Sequence, residues 1–588
     1  MALQRGILIG ALAAALLTSC AAPPASLTPT LETEFFTAEL PAEPLPTGTS
    51  APTPLSVWIG TAVPARLREL AQAWNLPAAA DQSTAAVQLN IAQPALGQLN
   101  VSNWIYALVA PFPTIVDGVT SSDLRNCWSG SPSGPFGGLP LLMEESTLAA
   151  LTLLWGPPAA GAARAMPPDQ LLDAAWGDAP SWGIVPFEML EARWKVLTID
   201  GQSPIRKDFE PERYPLVAGF RVYSAAPLEP ELPESNRDPA KLTTVLLTGV
   251  TALVRATAYT MEVKGVLYPG RDIRDWMLDA DIAHVSNEIP FYSACGPPNP
   301  SQTKLVFCSS PRYMDLLTDI GTDVIELTGN HFGDYGEDAM LETLAMYNEL
   351  GIPYYGGGAD LADAQNALLL EHNGNKIAFI GCNPPDTGKF PTATEDRPGA
   401  APCDFDYMTL TIQDLRDHGY VVITTFQYYE YYSPEARPWQ QEDFRLMSNA
   451  GASIVSGSQA HYAQVLEFNG SAFIHYGLGN LFFDQMGEIP LIDGIRREFL
   501  DRHIIYDGRH VSTELLTAML EDYSRPRPMT PEERADFLTE YFVESGWLTT
   551  PPLVEIEAEP TATLTPLSLP PLVGSAGGFY LETPTAGP

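Results

Sequence analysis

The chain has 588 residues, more than one hydrophobic core normally accommodates, so two or more domains are expected. Its 45% of hydrophobic residues is enough to fill such cores, while 71 acidic against 32 basic residues leave a net charge of −39. A phosphate backbone calls for a basic surface, so no nucleic-acid partner is expected.

The chain begins with a targeting pattern. Arg5 supplies a charged start, and Gly6 to Leu17 is a short apolar run. The run ends in Leu17-Thr18-Ser19-Cys20, which resembles the lipobox of bacterial lipoproteins. The resemblance implies that residues 1–20 are a signal peptide, that Cys20 is lipidated, and that the protein is held at the membrane outside the cytoplasm. An ordinary secretory signal cut nearby is the alternative. No later run of ~20 apolar residues occurs, so no other spanning helix is expected. In an oxidising compartment the simplest cysteine pairing is local. Cys295 and Cys308 flank one Pro-rich loop, Cys382 and Cys403 flank another, and Cys127 is left free. No CxxC spacing suggests a cysteine metal site.

Residues 21–53, rich in Pro, Thr, Ala and Glu, read as a flexible tether. Residues 54–235 read as a first α/β domain. Ser56 to Ile59 is a short strand, Pro64 to Trp74 a helix and Ile105 to Ala110 a second strand, followed by Pro111-Phe112-Pro113-Thr114. Val119 to Gly130 and Trp182 to Glu188 come next, then Trp194 to Leu197. This order resembles extracytoplasmic solute-binding domains, whose two α/β lobes the resemblance implies here; a ligand-free α/β domain is the alternative. Residues 236–244 are polar with Pro239 and read as a linker.

From there, apolar strands and amphipathic helices alternate from Val245 to Tyr476, as expected for a layered α/β fold. The second domain is bounded at 236–547 and includes a C-terminal helix from Pro531 to Trp547. Thr530 before Pro531, with Glu533 three residues on, is a helix-start signature. Residues 548–588, Pro/Thr-rich and without periodicity, are expected to be disordered.

Chemistry concentrates at Leu327-Thr328-Gly329-Asn330-His331-Phe332-Gly333-Asp334-Tyr335-Gly336, a loop between an apolar run and an amphipathic one. Asn offers a neutral oxygen and His an imidazole nitrogen at the end of a parallel strand. Five stretches together resemble the CapA family of poly-gamma-glutamate capsule proteins. They are Thr248 to Arg255, Ala280 to Glu288, the Gly329-Asn330-His331 loop, Phe426 to Tyr431, and Gly457 to His461 with Tyr476 to Asp484. The resemblance implies a four-layered α/β/β/α, metallophosphatase-like fold. It also implies a role in making, releasing or anchoring an extracellular polymer.

This sequence departs from the family pattern. Where the family has its first carboxylate stands Val250; where it has two histidines stand Phe426 or Gln427, and Ser458. Two-metal hydrolysis needs a bridging carboxylate and several imidazoles. The surviving ligand set is Glu288, Asn330, His331 and His461, enough for one divalent metal (Mn, Zn or Fe). If the chain is an enzyme, it is a metal-dependent hydrolase or transferase in which His331 and His461 move protons. Arg255, Gln427, Glu430 and Gln459 are candidates to bind substrate, and Asp334 to orient His331. The alternative is a non-catalytic lipoprotein whose eroded site binds a polymer or small solute. A third reading is a sensor in which the first domain reports to the second. His284 and His475 are expected in the core, and His372, His418, His503 and His510 on the surface.

Overall fold

The computed structural model describes residues 55–92, 101–224, 230–384, 392–486 and 494–549. The expected signal with Cys20, the tether at 21–53 and nearly all of the tail at 548–588 lie outside the described residues. Among those described, no helix is long and apolar enough to cross a membrane.

Alternation along Leu242–Thr248 sets the layers of the second domain. All seven residues are buried, but neighbours serve different cores. Val245 and Leu247 point into one apolar cluster and Leu246 into another, because successive strand side chains face opposite ways. The strand sits inside a nine-stranded sheet. Tyr354–Tyr355, Val324–Glu326, Ile282–Asn287 and Leu242–Thr248 run parallel; Arg497–Tyr506, Arg509–Glu521 and Arg525–Pro528 continue antiparallel. Arg255–Lys264, Arg274–Asp279, Met314–Asp319 and Gly336–Leu350 cover one face through Met261, Met277, Leu317 and Met340.

The other face meets a six-stranded sheet whose core strands, Asn375–Cys382, Val421–Phe426, Ile454–Gly457 and Ala472–His475, are parallel. Phe379, Ile423, Ile454 and Phe473 fill the space between the sheets with Val245, Leu247, Phe499 and Ile505. Phe405–Asp417 and Pro438–Ala450 close the far side through Ile412, Phe444 and Met447. The layers are therefore helix, sheet, sheet, helix. Pro531–Glu544 starts as expected: the Thr530 side chain accepts from the Glu533 amide, and the Glu533 carboxylate accepts from the Thr530 amide.

Residues 57–224 build one eight-stranded sheet around the long strand Val101–Pro111. Its first half, Val101 to Ile105, pairs with Val217–Ser224; its second half pairs with Trp182–Pro186 and Trp194–Val196. The two halves of this segment thus share a single backbone. From Leu55 onward the described residues form one compact unit. Phe112 packs against Phe468, Phe473, Phe542 and Trp547 at centroid distances of 5.2 to 6.3 Å. Arg534 holds Asp117 with two hydrogen bonds of 2.8 and 2.9 Å, and Arg206 pairs with Glu514.

Residues 236–244 are not a loose linker. The Asn236 side chain bonds both the amide and the carbonyl of Ile105. Buried Arg237 donates to the carbonyls of Pro204 and Arg206, and Leu242 already begins a strand. Polar residues look like a linker in sequence; here their hydrogen bonds are spent on the partner segment. His503 is likewise not at the surface. It is fully buried between the sheets, bonded through Nδ1 to Thr513 Oγ1 at 2.9 Å, and burial drives its pKa well below the usual imidazole value. His372 and His510 are half-buried, and His418 is exposed. His284 and His475 lie in the core.

Candidate active site

Parallel strands bring their carboxyl ends to one edge of the two-sheet sandwich, and the residues that follow them converge there. Glu288 follows Ile282–Asn287, the Leu327 to His331 loop follows Val324–Glu326, Gln427 follows Val421–Phe426, and Ser458 to His461 follow Ile454–Gly457. The two sheets touch through Ser286 and Ser458, whose hydroxyls are 3.3 Å apart. Gly329 is required by close approach: a Cβ there would lie 2.3 Å from the Glu288 carbonyl oxygen. That contact sets Asn330 beside Glu288.

His461 adopts the left-handed region with φ of 52°, a conformation that costs a non-glycine residue energy. Its Nδ1–H donates to Asn480 Oδ1 at 2.8 Å, with Asn480 oriented by its own amide donating to the His461 carbonyl. In a neutral ring this leaves the lone pair on Nε2, which lies 3.8 Å from Glu288 Oε1. The ring stacks on Phe483 at 5.0 Å. His331 donates from Nδ1 to Asp334 Oδ2 at 2.6 Å, and the same oxygen accepts from the Phe307 amide at 2.7 Å. Burial opposes charge on His331, but the Asp334 hydrogen bond and the charges of Glu288, Asp334 and Glu430 outweigh it and raise its pKa.

What stands out is a surplus of acceptors. Glu288 is 1% exposed, and neither carboxylate oxygen has a hydrogen-bond partner. Asn330 Oδ1 and Gln427 Oε1 are also buried and unpartnered. The Gln427 amide donates to Gln459 Oε1, so these two side chains lock each other. Beneath them Glu326 is buried and accepts from Thr328 Oγ1 at 2.7 Å, and burial raises its pKa above the usual carboxylate range. His284 lies 3.6 Å from Glu326 and is pushed down to about 3 by burial, so it is neutral.

Four unpartnered oxygens, two of them on Glu288, and the His461 Nε2 suit one cation held partly by neutral oxygens. A carboxylate-bridged pair of cations does not fit: among the described residues no group of three or more His, Cys, Asp or Glu is arranged to hold a metal ion. Val250 and Phe426 are fully buried apolar residues, and Ser458 supplies only a hydroxyl.

The remaining expected residues divide. Glu430 is exposed at the rim and accepts from the Tyr432 hydroxyl. Arg255, at φ of 44°, is ion-paired with Asp484 and lies 5.0 Å from the rings of both Phe307 and Phe483. Those rings also contact His331 and His461, so two aromatic residues stand between Arg255 and the imidazoles. Sequence reasoning did not assign Asn480 or Asp484, although both lie in the quoted Tyr476 to Asp484 stretch. Disulfides Cys295–Cys308 and Cys382–Cys403, with Cα atoms 5.8 and 5.0 Å apart, brace this region; the Cys382 carbonyl accepts from the Gln427 amide, and Cys127 is free and buried.

Residues 244–485 match the family model described as bacterial capsule synthesis protein PGA_cap. Among curated relatives, the chain is 30% identical over 171 residues to the PGA biosynthesis protein CapA of Bacillus subtilis, covering 29% of this chain and 45% of that protein. It is 28% identical over 174 residues to the capsule biosynthesis protein CapA of Bacillus anthracis, covering 28% and 41%. It is 25% identical over 187 residues to a probable polyglutamine synthesis accessory protein of Mycobacterium tuberculosis, covering 30% and 49%. The matched region thus spans less than half of each relative. The model match, the relatives and the ordered motifs around Glu288, Asn330 and His461 agree, and residues 244–485 of this chain are similar to the CapA capsule-synthesis proteins.

Proposed function

We propose that this chain acts in the synthesis, release or anchoring of an extracellular anionic polymer of the poly-gamma-glutamate kind, through one divalent cation held at the Glu288 site. The observation that carries the reading is the Glu288 carboxylate, buried with both oxygens unpartnered. A buried carboxylate whose oxygens lack hydrogen bonds is costly, and a cation relieves that cost. Glu288, Asn330, Gln427 and His461 would hold the ion, and His331, whose ring feels the Glu288 charge, would stand beside it. Manganese suits the oxygens, and zinc or iron suits the imidazoles. Such an ion would polarise an amide or phosphoryl oxygen of a substrate. His331, oriented by Asp334, is placed to hold a proton near it, because its raised pKa favours the charged ring. A lipid anchor at Cys20 would keep this work at the outer face of the membrane.

The test is metal content of the purified chain by elemental analysis, beside Glu288→Ala and His461→Ala. Roughly stoichiometric metal, lost in both variants, supports the reading. No metal after incubation with manganese and zinc sinks it. One observation favours a second reading: the Gln427–Gln459 lock stands where the resemblance implies a lost histidine. In that reading the acceptors take hydrogen bonds from a polymer or small solute without catalysis, and polymer binding would persist in chelator.

A further inference from the structure

The Gln427 to Arg437 segment, which follows the site, carries four tyrosines, of which Tyr428 is buried and Tyr429, Tyr431 and Tyr432 are at least partly exposed, and ends at Arg437 before the Pro438–Ala450 helix. The Tyr431 amide donates to the carbonyl of Ala460 at 3.4 Å, which ties this ring to the loop that carries His461. The Arg437 guanidinium lies over the Tyr431 ring, 3.7 Å from its centroid, and 5.4 Å from that of Trp439. Two aromatic faces thus fix the plane of the cation. Trp439 is 46% exposed, so the platform faces solvent.

This cation has no carboxylate partner among the described residues, although the chain carries 71 acidic side chains against 32 basic ones. Arg255, Arg445, Arg497 and Arg525 each have one. An unpaired guanidinium held flat keeps its N–H edges free, and those edges match the two oxygens of a carboxylate. The rings also shed water from one side of the pair, which strengthens it.

We propose that Arg437, held over Tyr431 beside Trp439, is a subsite for a carboxylate of the polymer that the neighbouring site handles. This rests on the anionic-polymer reading above. It also supplies what a chain of net charge −39 needs in order to take a polyanion, a local cation at the mouth of the site. A neutral sugar chain would use the rings and leave the guanidinium idle.

The test is titration calorimetry of the whole chain with a short γ-glutamyl oligomer and with its methyl ester, at low salt and with manganese present. Wild type, Arg437→Ala, Arg437→Lys and Trp439→Ala are compared, with melting curves as a control for folding. The acid oligomer should bind and the ester should not. Arg437→Ala should weaken binding about 10- to 100-fold, the scale of a charge-assisted pair, and Arg437→Lys should recover only part of that. Equal binding by wild type and Arg437→Ala overturns the subsite and leaves the polymer reading intact. Binding of the ester as tight as the acid, or loss in Trp439→Ala alone, overturns it in favour of ring stacking. No binding of the oligomer to wild type overturns both the subsite and the polymer reading.

Discussion

Glu498→Gln should stabilise the protein, and by an amount that grows with pH. Glu498 lies on Arg497–Tyr506, is 1% exposed and has no partner for either carboxylate oxygen. Burial alone raises its pKa well above the usual carboxylate value. A raised acid keeps its proton in the folded state while the unfolded chain loses it. Stability from this group is therefore complete below the unfolded value and falls as pH rises towards the folded one. The slope is about 1.4 kcal/mol per pH unit. Between about pH 5 and about pH 7.5 wild type should lose stability that the glutamine variant keeps. Glutamine has the same shape and also leaves polar atoms unpaired, so the pH dependence isolates ionisation from packing. Urea unfolding followed by tryptophan fluorescence, at three pH values across this window, reads the difference. A gap between the two proteins that stays constant with pH would refute the reasoning, because Glu498 would then be charged in the fold.

The buried histidines act in the opposite direction: His284, pushed down to about 3, stays neutral in the fold, so stability is complete above the unfolded imidazole value and falls by about 1.4 kcal/mol per pH unit as pH drops below it. His284→Gln should remove that share, read as a shallower loss of melting temperature between about pH 6.5 and pH 5 than in wild type. Gly329→Ala, whose Cβ would meet the Glu288 carbonyl oxygen at 2.3 Å, should displace the Asn330 loop and abolish metal or polymer binding; a cost of about 1–3 kcal/mol in unfolding is expected from the clash, and binding at wild-type strength would count against the geometry. Replacing both Cys382 and Cys403 with alanine opens a 21-residue span and should cost about 3 kcal/mol, measured as a shift in the urea midpoint under oxidising conditions.

The sequence by itself determined the alternating strands and helices of the second domain, because apolar runs at strand length and helical period have few other places to go. It also placed Glu288, Asn330, His331, Gln427, Gln459 and His461 in loops that follow parallel strands, because strand ends are readable from where apolar runs stop. The cap at Thr530 was legible because it is purely local. The hairpin Arg497–Tyr506 with Arg509–Glu521 was not read, although its two-residue Asp507-Gly508 turn, with φ of 51° and 74°, is a known hairpin signal. Its strand carries Glu498, Asp501, Arg502 and His503, four polar residues that composition assigns to the surface and the fold buries. Only tertiary structure could decide that, since burial depends on which distant strand covers a side chain. The same holds for Arg237 in the supposed linker, whose partners are carbonyls of Pro204 and Arg206. It holds also for the site's electrostatics. That Glu288 is left with two unpaired oxygens while Arg255 is paired to Asp484 behind two aromatic rings follows from the meeting of loops far apart in the chain.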